Sequence, residues 1–328
     1  MDSNISTTLT TKGKVSKKRL IIIDCNSIIH RAYHALPPLT TKKGEMINAI
    51  YGFLLVFLKA IRELQPDFIA ACFDFPGPTF RHKKFKEYKA KRPPAPEELY
   101  QQIPKVKEIL KRFNVPIFEK KGFEADDLIG TIAQLAPKKQ ILPRVETIIL
   151  SGDLDTLQLI NPQTKVYSLR KGVKDVVLYN EKLVREKFLG LKTEQLLDFK
   201  ALRGDPSDNI PGVTGIGEKT AIELLLKFSS LENLYKEIEA KSERAKKLKP
   251  KLKETLLQYK EQAFLSKSLA QIKKDVSIGF NLKECQWKEY NKEKTTQLLK
   301  DFEFYSLIEK LPISAKQDEK LQENLRLW

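Results

Sequence analysis

At 328 residues and 41% hydrophobic content, the chain can build one large or two ordinary domains, and its three cysteines, Cys25, Cys72 and Cys285, are too few and scattered for a disulfide framework or a zinc site. With 59 Lys+Arg against 42 Asp+Glu, the formal net charge is +17, so the expected partner is a polyanion, either nucleic acid or an anionic membrane surface. No apolar run approaches the roughly 20 residues that cross a bilayer and the first twenty lack the apolar core of a secretory signal, which points to a cytoplasmic protein with reduced, buried thiols.

Residues 1–18 read as a disordered polar tail. Beyond it, short β-branched runs at 19–24 (RLIIID), 67–74 (DFIAACFD), 115–118 (VPIF) and 146–151 (ETIILS) predict strands. The segments NAIYGFLLVFLKAIREL and PKVKEILKRF between them predict helices, and the alternation gives an α/β fold with a mostly parallel sheet flanked by helices. In such sheets the functional cleft lies at the carboxyl ends of the strands. Asp24 and Asp74 end two of the predicted strands, and a third runs into SGDLD with Asp153 and Asp155, which point the same way if that segment is extended. In GFEADDLIGTIA, Glu124 and Asp127 are three apart and share a helix face, while Asp126 splays away unless the first turn is irregular.

Taken singly, EADD is a helix start whose acids complement the macrodipole, and a strand-end aspartate initiates a turn. Four sequence-distant acidic clusters converging on one rim change the balance. Packing so many carboxylates together is opposed by repulsion unless cations fill the gap, and oxygen-only ligands suit Mg²⁺ or Mn²⁺ rather than zinc.

The second half reads as helical. Residues 193–228 predict a helix after Thr193, a turn dense in Gly, Pro, Asp and Asn, and a helix opening at Gly217. The glycines of GVTGIG allow a tight hairpin whose N–H groups approach a phosphate, a grip that carries no sequence information. Asp205 and Asp208 reach the acidic rim if this half docks on it. Two basic runs complete the pattern. Residues 81–92, RHKKFKEYKAKR, hold seven Lys/Arg and one acid with Phe85 and Tyr88 interleaved, and overhang the predicted site. Residues 241–260 hold eight Lys/Arg and two acids and read as a mostly solvated helix pair with possible duplex contact.

On the motifs LIIIDCNSIIHRAYHAL, FDFPGPTFRHKKFKEYKAKRPPAPEEL, GFEADDLIGTIA, SGDLDTLQLI and ALRGDPSDNIPGVTGIGEKTA, in that order, residues 19–312 resemble the 5′ nuclease family of flap endonucleases and the 5′-to-3′ exonuclease domains of bacterial DNA polymerase I. The resemblance implies a nuclease core at 19–180 with a helical arch at about 76–108, a helical DNA-binding domain at 181–312 with its helix-hairpin-helix at 193–228, and a tail at 313–328 ending in Trp328. It also implies two divalent ions, Mg²⁺ with Mn²⁺ as a substitute. Asp74, Glu124 and Asp126 would serve the first and Asp155, Asp205 and Asp208 the second, with Asp153 between them and Asp24 and Asp127 acting through water or by orienting neighbours. Arg31, Lys89 and Arg92 fall at the family's basic positions near the scissile phosphate. Arg81, Lys83, Lys84 and Tyr88 of the arch, and Gly212, Gly215, Gly217, Lys219 and Thr220 of the hairpin, would contact DNA, the hairpin also taking a potassium ion in some members.

The implied activity is structure-selective hydrolysis of DNA with a free or flapped 5′ end by a nucleoid-associated monomer, leaving 5′-phosphates, in primer or flap removal, with a DNA polymerase as a conceivable partner. RNA or hybrid substrates, or an inactive DNA-binding scaffold, are the alternatives; a dinucleotide-binding enzyme fails because no GxGxxG follows the first strand. Cys25 replaces the family's usual Gly, and Leu154 its usual basic residue, which bears on turnover more than on reaction type. Most bacterial relatives continue into proofreading and polymerase domains, so the chain is expected to be a freestanding nuclease or a truncated product. His30, His34 and His82 have no obvious Ser or Cys partner, and His34 reads as a core residue before a substrate-side one.

Overall fold

The β-branched run at 19–24 forms the middle of the sheet because both its faces find cover. The computed structural model describes residues 18–137, 145–287 and 289–312; the tails at 1–17 and 313–328, with Trp328, lie outside the described residues. Lys18, placed in the tail by the sequence, already belongs to β1 (Lys18–Asp24). Leu20 and Ile22 point into one apolar cluster and Ile21 and Ile23 into another, the period of two expected of a strand.

After β1 the chain runs through α1 (Cys25–Ala35), α2 (Asn48–Leu64), β2 (Phe68–Cys72), α3 (Phe80–Lys84), α4 (Glu97–Arg112), β3 (Ile117–Phe118), α5 (Ala125–Leu135), β4 (Val145–Ser151), β5 (Thr164–Leu169) and β6 (Val176–Tyr179). The sheet order is β3-β2-β1-β4-β5-β6, parallel throughout except for the β5–β6 hairpin. The last two strands were not among the four predicted: β5 (TKVYSL) mixes polar and apolar residues although five of its six are buried between β4 and β6, and β6 is a short, mostly half-exposed edge strand. Helices α1, α2 and α4 cover one face, while α5 and the returning segment around Ile272, Val276 and Phe280 cover the other. The arch segment begins with the short α3 and a Pro-rich loop, then passes into α4, which buries Leu99, Val106, Ile109 and Leu110.

α6 (Glu181–Lys187) still packs on the sheet through Val184, and the helical half follows with α7 (Leu196–Arg203), α8 (Glu218–Phe228) and further helices up to Lys260–Ala270, packed around Leu202, Val213, Leu225, Phe228 and Leu234. The chain does not stay there to residue 312. After Ala270 it returns to the sheet, with Ile272 to Cys285 on one face and Leu299, Phe302 and Leu307 in the core of the other. Among the described residues no helix is long and apolar enough to cross a membrane.

Candidate active site

β1 ends on Asp24, and α1 begins with no intervening loop. The Asp24 carboxylate therefore caps the helix, accepting from Ser27 N–H at 3.2 Å, and its second oxygen accepts from the Ser151 hydroxyl at 2.6 Å. Ser151 in turn accepts from Asp153 N–H at 2.9 Å, so one hydroxyl ties the ends of two neighbouring strands. Asp74 lies two residues beyond β2, rather than ending it, and caps α5 through a 2.7 Å bond from Ala125 N–H. Asp24, Asp74, Glu124, Asp126 and Asp153 then line a single cavity of about 610 Å³, whose wall also carries His30, Arg31, His34, Lys89 and Arg92.

Several residues stand elsewhere than the sequence suggests. Glu124 is the N-cap of α5 with extended backbone and so lies outside the helix, which removes the shared face expected with Asp127; it is Asp126, and not Asp127, that lines the cavity. Asp127 is fully buried on the far side, in a two-pronged pair with Arg81 at 2.7 and 2.8 Å, and accepts from Glu124 and Lys273 N–H groups. Arg81, expected at DNA, is 2% exposed and also donates to the carbonyls of Leu269 and Gln271. Tyr88 is 3% exposed and cannot stack on a base; its hydroxyl donates to Glu124 and Asp208. Asp153 and Asp155 diverge, because Leu154–Leu159 is a 3₁₀ helix capped by Asp153 rather than an extended segment. Arg31 lines the cavity but spends two donors on the carbonyls of Gly152 and Arg170. His34 is exposed on the cavity wall, not in the core.

The acids of the second half divide. Asp208 shares the Tyr88 hydroxyl with Glu124, faces Lys89, and takes an ion pair from Arg92. Asp205 instead joins Asp155 across Lys200, a residue that no motif marks: with Arg203 three positions on, it reads in the sequence as one of two ordinary cations in the last turn of α7. The expected trio of Asp155, Asp205 and Asp208 is thus spread over two places. Among the described residues no group of three or more acid, imidazole or thiol side chains is gathered as a finished metal-binding set, since Lys89, Arg92 and Lys200 stand between the acids.

The electrostatics show the strain of this crowding. Burial, reinforced by the charges of Asp153 and Asp74, pushes Asp24 up to about 7. Burial, then the charges of Asp24, Asp153, Asp155 and Glu124, raises Asp126 well above the carboxylate range. Burial and Asp153 push Asp155 to about 7 in spite of Lys200. Burial also raises Asp205, but Lys200 and Ser207 outweigh it and hold that group at about 2. An all-oxygen donor set short of positive charge fits a hard divalent cation.

Residues 19–189 match the family described as 5′-3′ exonuclease, N-terminal resolvase-like domain, and residues 191–293 match 5′-3′ exonuclease, C-terminal SAM fold. The chain belongs to the 5′-3′ exonuclease family. It is an enzyme of the nuclease class. Among curated relatives, DNA polymerase I of Bacillus caldotenax is 42% identical over 305 residues, covering 93% of this chain and 33% of the relative. DNA polymerase I of Bacillus subtilis is 41% identical over 310 residues, covering 94% and 34%. The chain therefore spans about a third of the length of these relatives. Among solved structures, the T5 5′-exonuclease with divalent metal ions (zinc) bound shares the fold at a TM-score of 0.63 and 21% identity, over 77% of this chain and 89% of that one. The catalytic core of Rad2 in complex with DNA substrate does so at 0.53 and 18%, over 88% of each chain.

In this exonuclease the hairpin between α7 and α8 is closed by a backbone crossing. Gly204 and Gly212 both have positive φ, and a Cβ on Gly212 would lie 2.2 Å from the Gly204 nitrogen. Gly212 offers nothing to a phosphate, because its N–H donates to Ser266 and its carbonyl accepts from Gln262. Gly215, Gly217 and Lys219 are exposed at the start of α8, with Thr220 half-buried behind them. Lys83 and Lys84 are exposed on α3. All three cysteines are buried and unpaired.

Proposed function

We propose that this exonuclease hydrolyses phosphodiester bonds of DNA at free or flapped 5′ ends, using two divalent ions, Mg²⁺ or Mn²⁺, and leaving 5′-phosphates in primer or flap removal. The observation that supports it most is that five carboxylates from four separate chain segments line one cavity, with Lys89 and Arg92 in its wall. Asp74, Glu124 and Asp126 are the residues to hold one ion, and Asp155 and Asp205 the other, with Asp153 between and Asp208 beside Glu124. Such ions, when bound, activate water and neutralise charge developing at phosphorus.

The remaining work falls to the chain. Ser151 and the start of α1 fix Asp24 so that it orients its neighbours. Lys89 holds a left-handed backbone, φ 57°, secured by its N–H donating to the Asp208 carbonyl, and this aims its ammonium at Glu124, 3.0 Å away. Lys89 and Arg92 are thereby placed to receive a phosphate entering the cavity, and their pairing with acids keeps them there before substrate arrives. The exposed N–H groups near Gly215 and Gly217, with Lys219, suit a duplex backbone, where a helix start favours phosphate. Any potassium ion at the hairpin would have to use carbonyls other than that of Gly212, which Gln262 engages. Linkage to a DNA polymerase is suggested by the polymerase I relatives.

End-labelled 5′-flap DNA incubated with Mg²⁺ or with EDTA tests the reading. Cleavage is expected only with Mg²⁺, and Asp74→Ala should lower it by about 10²-fold or more with flap binding retained. Full cleavage by that variant, or cleavage in EDTA, refutes it. Matched RNA and hybrid flaps decide the substrate sugar.

A further inference from the structure

Lys200 occupies an unusual position for a cation. It leaves the last turn of α7 and reaches Asp155, which follows β4, and Asp205, which opens the hairpin, with 2.7 Å to the latter; its side chain is 16% exposed. The two acids belong to different packing units, the sheet and the helical bundle, and one ammonium joins them. No other cation pairs with either acid among the described residues. Asp205 is further held by the Ser207 N–H at 2.9 Å and hydroxyl at 2.7 Å, so its position is fixed on the hairpin side.

We propose that Lys200 is a resident counter-cation, holding Asp155 and Asp205 in register in the metal-free enzyme, and that a divalent ion binds this acid pair by exchange with it. This rests on the reading that these acids hold an ion. A hard divalent ion takes carboxylate oxygens at roughly 2.0–2.6 Å, and an ammonium already on the same oxygens occupies that volume and repels the incoming charge. The ammonium must therefore move out as the ion moves in. It has a place to go, because the cavity of about 290 Å³ that Lys200 lines together with Asp155 and Asp205 extends to Gln158 and Glu218, with Lys187 and Arg203 also in its wall. Glu218, 4.0 Å from Arg203 in that wall and 62% exposed, offers a carboxylate that the displaced ammonium would share with Arg203, and a lysine stem has the freedom to swing that a guanidinium fork held by two carboxylates lacks. The exchange keeps the two halves of the acidic site aligned when no metal is present, at the cost of weaker metal binding. Lys200 is in this sense a positioning residue and makes no contact with reacting atoms.

The test is Mn²⁺ titration of the full chain, followed by electron paramagnetic resonance and calorimetry without DNA, on the parent, Lys200→Met and Lys200→Arg. Exchange predicts opposite shifts: the weaker Mn²⁺ site tightens by about tenfold in Lys200→Met and weakens in Lys200→Arg, whose planar fork grips two carboxylates more firmly. The melting temperature of Lys200→Met should fall in EDTA and recover with Mn²⁺ by more than the parent gains. Unchanged or weaker Mn²⁺ binding in folded Lys200→Met overturns the exchange, as does tighter binding in Lys200→Arg. Should Lys200→Met not fold, the Arg variant decides alone. Parent protein that binds Mn²⁺ but shows no cleavage would refute the proposed function while leaving the exchange measurable; parent protein that binds none would refute both.

Discussion

Arg81→Met should unfold this enzyme more readily without touching its grip on DNA. The guanidinium donates four hydrogen bonds, two to the fully buried Asp127 and one each to the carbonyls of Leu269 and Gln271. Burial opposes its charge, but Asp127 and then Glu124 outweigh that and hold it protonated. Truncation leaves Asp127 a buried charge with, among the described residues, only the N–H groups of Glu124 and Lys273 donating to it, and it orphans two carbonyls. Breaking one side of a buried pair costs about 3–5 kcal/mol, and relaxation or water entry offsets part of the carbonyl term, so a loss of about 4 kcal/mol is expected. Urea unfolding reads it directly. Arg81→Met with Asp127→Asn should regain much of the loss, since the stranded charge is gone. In fluorescence titrations of flap DNA, the slope of log affinity against log salt should be unchanged in the single variant, because Arg81 neutralises no phosphate. A stability loss below about 1 kcal/mol together with a slope smaller by about one would mean that Arg81 faces the DNA and that this packing is wrong.

In the metal-free protein Asp24 and Asp155 sit at about 7 against an ordinary 3.8, so the folded state binds more protons between those values and stability falls as pH rises through that window. Asp205, held at about 2, contributes the opposite sign, its share being lost only as pH drops from 3.8 towards 2. Mg²⁺ replaces those protons, so the gap in urea midpoint between Mg²⁺-loaded and metal-free protein should widen from pH 4 to pH 7; a gap independent of pH counts against a shared cation site. Gly212→Ala places a Cβ against the Gly204 backbone at a φ of +64°, and should cost at least about 1–2 kcal/mol and weaken duplex binding, whereas Gly215→Ala, with open space around it, suffers only the backbone penalty. Equal effects of the two on melting temperature would discount the crossing. Burial pushes the thiols of Cys25 and Cys72 well up and that of Cys285 to about 12, so a thiol reagent at pH 8 should label none of them in the native protein and all three in urea; rapid native labelling contradicts that packing.

The residue types and their order settled a great deal. Alternating β-branched and amphipathic stretches specify the parallel sheet, because period and length are local properties that each segment carries alone. The acids at the strand ends were legible for the same reason: a parallel sheet puts all such ends on one rim, whatever the loops do. Direction and partnership were not legible. The extended N-cap at Glu124 turned Asp126 to the cavity and Asp127 to Arg81, a choice set by a single residue's backbone and by a guanidinium 46 positions upstream. The basic run looked uniformly available for DNA, yet Arg81 and Tyr88 are among its most buried members while Lys83 and Lys84 stay in solvent, because the helical half packs against one side of the run, with Tyr88 against Ile210 and Leu269 and Arg81 bonded to the Leu269 carbonyl. Lys200 carries no local mark of its role; only docking of the helical half on the sheet brings Asp155 within its reach. Charge is written in the sequence, but whether an ammonium meets water, phosphate or a buried carboxylate depends on distances between segments that only the folded chain defines.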